Sequence, residues 1–153
     1  MDKKNRLCFW MNMPSHHQYA FLAAVNHVCD SVKVFYYGTL QDSRQKMGWE
    51  SVNLREWEEF VSPEELDLEF LKKLDDYVHI VPGYGSQTLR RLVKLLIRNN
   101  IRWCHWSEPA RPGLRWLISY PLKRYYAHLV NRHAVLALGI GSMAMRDFQR
   151  WGI

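Results

Sequence analysis

The sequence predicts an α/β fold: a Rossmann-like, three-layer α/β/α arrangement around a mainly parallel six-stranded sheet, in the order 3-2-1-4-5-6. Three observations carry this. Short apolar runs alternate along the chain with stretches of helical periodicity, the pattern of strands joined by crossover helices. Residues 76–99 contain the βα half of one such unit, with an apolar run at 77–81, the turn Pro82-Gly83-Tyr84-Gly85, and a helix opening at Ser86. The chain has 153 residues, 48% hydrophobic and 24% charged, which suits one folded domain and leaves no disordered or repetitive tract.

Each element has a local reason. Residues 6–11 (RLCFWM) form the first strand, which Pro14 stops by forcing its neighbour into extended geometry. Ser15 is placed to cap a helix over 16–28, whose Tyr19, Phe21, Leu22, Ala23, Val25 and Val28 fall near helical spacing. Residues 32–37 (VKVFYY) are β-branched and aromatic and form the second strand, closed by Gly38. Residues 40–47 are polar, a loop or short helix. Residues 48–54 alternate apolar and polar and are the weak third strand. Residues 55–62 read as irregular and acidic, anchored by Trp57 and Phe60.

Ser62-Pro63-Glu64-Glu65 is a helix start, with a capping serine, proline in the first turn and carboxylates at the positive end of the dipole. That helix is expected to reach residue 76. The fourth strand covers 77–81, and the helix over 86–99 sets Leu89, Leu92, Val93, Leu96 and Ile97 against Arg90, Arg91, Lys94 and Arg98. The fifth strand is 101–106 (IRWCHW). A loop over 110–113 leads into a long helix over 114–132, kinked at Pro121. The sixth strand is 133–138, and a short helix covers 143–151.

The net charge is +6 and the isoelectric point about 9.3, consistent with plain solubility or with an anionic partner. The three cysteines, Cys8, Cys29 and Cys104, lie in or beside apolar segments without metal-ligand spacing. They argue for a reducing compartment and against a disulfide framework. No apolar run approaches the roughly 20 residues of a membrane span, and the apolar run near the start is too short to read as a signal peptide. The expected location is cytoplasmic, soluble or peripheral on the inner face of the cell membrane.

Four stretches could carry chemistry. His16 and His17 follow the first strand, where they could act as a base or bind phosphate or sugar hydroxyls, or where one could cap the helix and the other be solvated. Gly83 and Tyr84 lie in a turn before a helix N-terminus, which suits an anion or is simply a tight connection. Neither a dinucleotide nor a triphosphate fingerprint is present. His105 and Glu108 close the fifth strand, either as an exposed pair at one rim facing the hydroxyls of a polar substrate or, for Glu108, pairing with Arg111. Arg115, Trp116, Lys123 and Arg124 mix basic and aromatic character on one helix, as a membrane interface does and as a helix packed on a sheet also does. The carboxylate pairs Glu58-Glu59, Glu64-Glu65 and Asp75-Asp76 read as solvated faces and caps.

The layout resembles the N-terminal, acceptor-side half of GT-B glycosyltransferases, in particular the retaining bacterial polysaccharide type (glycosyltransferase family 4-like). The likeness rests on Asn12-Met13-Pro14-Ser15-His16-His17-Gln18 after the first strand and on Trp106-Ser107-Glu108-Pro109 after the fifth. It rests also on the closing run Ala134-Val135-Leu136-Ala137-Leu138-Gly139-Ile140-Gly141-Ser142-Met143-Ala144, continuing to Phe148 and Trp151. The glycine-rich loop common in that family after the first strand is replaced here by Ser15-His16-His17. The resemblance implies a single domain over 1–153 that is half of a longer hexosyltransferase of cell-surface polysaccharide or lipopolysaccharide synthesis. The nucleotide-sugar donor would be held mostly by an absent C-terminal domain, and the acceptor would be a glycan or lipid-linked molecule at a membrane surface. His16, His17, Gly83, Tyr84, His105 and Glu108 would meet substrate. Neither a cofactor nor a metal nor nucleic acid is implied, and the isolated domain would be inactive. A non-catalytic Rossmann-like module for a phosphorylated ligand or a protein is the competing reading.

Overall fold

The computed structural model describes residues 5–39, 46, 53–109 and 118–153. Its six strands are β1 (Arg6–Met11), β2 (Ser31–Tyr36), β3 (Glu58–Phe60), β4 (Val78–Val81), β5 (Trp103–Ser107) and β6 (Leu136–Gly139). They form one parallel sheet in the order β3-β2-β1-β4-β5-β6, the predicted Rossmann-like order. The helices among the described residues are α1 (His16–Val28), α2 (Leu68–Lys72), α3 (Gln87–Arg98), α4 (Tyr120–His133) and α5 (Gly141–Trp151). The chain divides into two compact units, Met1–His79 and Ile80–Ile153.

Three expectations shift. The weak third strand falls largely outside the described residues, and β3 lies instead in the acidic stretch read as irregular. Parallel pairing with β2, Val34 opposite Glu58 and Tyr36 opposite Phe60, outweighs the poor β-propensity of two glutamates. The helix expected from Ser62 to residue 76 shrinks to α2. Ser62 and Glu65 do exchange capping hydrogen bonds, Ser62 N–H to Glu65 Oε2 at 2.7 Å and Glu65 N–H to Ser62 Oγ at 3.3 Å. They close only a turn, and the helix begins after Asp67, whose carboxylate accepts from Phe70 N–H at 2.8 Å. Asp67 can cap only the turn that follows it, so this second capping residue resets the helix start. The sixth strand moves toward the C-terminus, to Leu136–Gly139.

In the Met1–His79 unit, β1 and β2 run in register from Arg6 opposite Ser31 to Met11 opposite Tyr36. Both strands are buried at their carboxyl halves. The core is aromatic: Trp10 packs on Phe35 with ring centres 5.1 Å apart, and Phe70 of α2 meets Phe35 edge-on at 5.1 Å. Gly38 lets the chain leaving β2 pass close to the end of β1, since a Cβ there would lie 2.7 Å from the Asn12 carbonyl oxygen.

In the Ile80–Ile153 unit, α3 buries Leu89, Leu92, Val93 and Leu96, the face its periodicity predicts. Ser86 caps it, accepting from Leu89 N–H at 3.1 Å. β5 and β6 pair from Cys104 opposite Leu136 to Ser107 opposite Gly139. Helices α4 and α5 are clasped through the last carbonyls of α5. Tyr120 Oη donates to Arg150 O at 3.2 Å, Arg124 Nη1 to Trp151 O at 2.8 Å, and Asn131 Nδ2 to Gly152 O at 2.5 Å. These carbonyls have no partner within their own helix.

Candidate functional site

In the first unit, polar side chains converge at the carboxyl ends of β1 and β2, where parallel α/β sheets present their ligands. Pro14 and Ser15 enter α1, Tyr19 and Leu22 come from α1, Tyr36 ends β2, Arg55 lies on the approach to β3 and Glu58 opens it; together they line an open cleft. The room it offers to the centres of water-sized groups is about 10 Å³, enough for one such group.

Glu58 organises this cleft. It is buried, 7% exposed, against the expectation of a solvated carboxylate pair. Its Oε1 accepts from Arg55 Nη2 at 2.6 Å and from Tyr36 Oη at 3.1 Å, and its Oε2 accepts from Arg55 N–H at 2.9 Å. Burial pushes this carboxyl up, but the side-chain and backbone hydrogen bonds and the charge of Arg55 outweigh it and hold the group below the usual carboxylate range. The Tyr36 phenol is pushed well up, by burial first and then by the Glu58 charge. Arg55 is itself fixed between two rings, its guanidinium carbon 4.2 Å from the centre of Tyr19 and 3.9 Å from that of Trp57, a pairing suited to its planar cation. Its Nη1 donates to Tyr19 O at 3.2 Å, while Nε–H is buried without a partner. Ser15 stands at the N-cap of α1 in extended geometry, yet its side chain makes no capping bond.

His16 and His17 occupy the exposed first turn of α1. In the second unit, Gly83, Tyr84 and His105 come together. A Cβ on Gly83, whose φ is +101°, would lie 4.0 Å from His105 Cε1. Tyr84 stacks on Tyr126 with centres 4.7 Å apart, and the Tyr126 hydroxyl lies 3.1 Å from His105 Nδ1. His105 is not an exposed rim residue as expected: it is 1% exposed, and burial pushes its pKa down to about 4, so it is neutral at pH 7. Burial also drives the Tyr126 phenol far up.

Glu108 is exposed beyond the end of β5. Arg115 and Trp116 lie outside the described residues. Lys123 and Arg124 turn to α5, Lys123 with its ammonium 5.0 Å from the centre of the Trp151 ring and Arg124 on the Trp151 carbonyl. Among the described residues, no group of three or more His, Cys, Asp or Glu side chains could hold a metal ion, and no helix is long and apolar enough to cross a membrane.

Sequence reasoning missed Arg55, Glu58, Tyr36, Ser107 and Tyr126. A usable signal existed for the first two: arginine and glutamate three residues apart, flanking Trp57 at a sheet edge. Tyr36 and Tyr126 had none, because their hydroxyl partners are 21 or 22 residues away.

No family model matches the chain, and no curated protein does. Among solved structures the chain is similar to phenylacrylic acid decarboxylase from Aquifex aeolicus, with 10% identity, a TM-score of 0.49, and coverage of 98% of this chain and 97% of that one. That protein is not a GT-B glycosyltransferase. The glycosyltransferase resemblance is therefore corrected, and with it the expected acceptor-half function, hexosyltransferase activity and polysaccharide role. The competing reading as a non-catalytic binding module gains no support from the comparisons either. The residues behind the resemblance sit where the chain leaves β1, β5 and β6, connections that any parallel sheet needs.

Proposed function

We propose that the cleft of the first unit binds a small neutral molecule through its hydroxyl groups. The observation that carries this is the Arg55–Glu58 pair, which fixes donors and acceptors side by side at no net charge. Glu58 uses three of its roughly four acceptor positions, and Arg55 retains N–H groups beyond those spent on Glu58 and Tyr19. The Ser15 hydroxyl adds a group that both donates and accepts. A ligand hydroxyl also does both, so it complements such a mixture better than an anion or a cation does. The cleft has room for one hydroxyl-sized group, and the half-exposed Tyr19 at its edge offers apolar surface to the rest of the molecule.

Calorimetric titration with ribose, inositol and adenosine, beside acetate and phosphate, tests this. Saturable binding of a hydroxyl compound, weakened at least tenfold by Glu58→Gln and by Ser15→Ala, is expected. Binding of the anions alone, or of a hydroxyl compound unaffected by both variants, contradicts it.

A further inference from the structure

We infer that the carboxyl end of β5, in the second unit, holds a buried site for a small carboxylate, formed by His105 Nε2 and Ser107 Oγ. The inference is independent of the cleft proposed above. Strand residues two apart point to one face, so His105 and Ser107 share a side of β5. Both present a buried polar atom without a hydrogen-bond partner, Nε2 and Oγ. Buried polar groups in folded proteins are almost always paired, and an unpaired one is destabilising. Two on one strand face, both at its carboxyl end, mark a place where something else supplies the partners.

The chemistry of that partner follows from the proton on Tyr126. Its phenol is 5% exposed and His105 Nδ1 is 3.1 Å away. A phenol proton needs an acceptor; given to Nδ1, it leaves the imidazole proton on Nε2. His105 then offers Nε2–H, and Ser107 offers its hydroxyl. Two donors call for an acceptor that can take both. Their Cα atoms are about 6.7 Å apart along the strand, and a carboxylate, with two oxygens each accepting at about 2.8 Å, spans such a pair. The turn before α3 leaves space nearby. His105 Cε1, which adjoins Nε2, is the atom that approaches Gly83, and nothing lies within 4 Å of a Cβ placed on Gly85. The positive end of the α3 dipole adjoins the same turn.

The test is the ¹⁵N signal of His105 Nε2, followed while sodium acetate or sodium formate is added to the full chain at constant ionic strength. A saturable shift is expected, with sodium chloride giving none, and with affinity at least tenfold weaker in Ser107→Ala. If Ser107→Ala does not fold, Ser107→Cys, which keeps the shape of the side chain but donates weakly, should show the same loss. A silent Nε2 signal, an equal response to chloride, or unchanged affinity in a folded Ser107 variant overturns the site. Equal binding of acetamide overturns the assignment to an anion.

Discussion

The indole Nε1 of Trp10 donates to Nδ1 of His79 at 3.0 Å, deep in the first unit, and the other nitrogen of that imidazole lies 3.1 Å from the Leu74 carbonyl. Trp10 can only donate, so Nδ1 is the bare nitrogen and Nε2–H is the donor to Leu74. One tautomer is fixed by its two neighbours, and His79, although wholly buried, is fully paired. Trp10→Phe keeps the ring but strands Nδ1. It should cost about 1–3 kcal/mol, read as a lower urea midpoint with an unchanged slope.

Acid should weaken the protein earlier than its carboxylates alone would. Burial holds His79 at about 4, with the Leu74 carbonyl opposing it in part, and burial holds His105 at about 4, against an ordinary 6.5. Between pH 6.5 and 4 the unfolded chain binds these protons and the folded chain does not, so stability rises with pH through that window. The contribution is complete above pH 6.5 and is lost as pH falls toward 4, about 3 kcal/mol per histidine. Glu58, held low, adds a further loss below the ordinary carboxylate range. Urea midpoints at pH 7.5, 6 and 5 measure this, and a midpoint constant over that span contradicts the neutral, buried state of both rings.

Removing Arg55 should hurt more than removing the pair. Arg55→Ala leaves the Glu58 carboxylate, its side chain only 3% exposed, without its counter-charge, at a cost of about 3 kcal/mol. Adding Glu58→Gln should recover part of that loss. A double variant as unstable as the sum of the two single ones would show that the charges do not interact.

Much of the fold was legible because it is written in local patterns. The aromatic, β-branched run at 32–37 announced β2 within a residue, and Ser86 with the leucines after it announced α3. The cleft was less legible, because it depends on where distant pieces meet. Glu58 looked like a solvated acid beside Glu59. Only the pairing of β3 with β2 turns it inward toward Tyr36, and no window of sequence contains both residues and their register. His105 and Glu108 were read as one exposed rim, yet the first is buried and the second is not. His105 lies within the strand under Tyr126 and Phe148, while Glu108 lies beyond its end.

Gly38→Ala should destabilise the first unit by about 1–3 kcal/mol, because the new methyl would press on a backbone oxygen that cannot turn aside. Thermal unfolding checks it. An unchanged midpoint would mean that the crossing of the β1 and β2 exits can widen freely.

The three bonds from Tyr120, Arg124 and Asn131 all end on main-chain carbonyls of residues 150–152. Such carbonyls exist whatever side chains the helix carries. The outward positions of α5 can therefore drift over evolutionary time without loosening its attachment. Gly152 cannot drift in the same way, since its left-handed φ of +88° strains any residue that carries a Cβ. Mutational tolerance along this helix should fall abruptly at Gly152, the residue that caps it, and a saturation library scored for folded protein would display that edge.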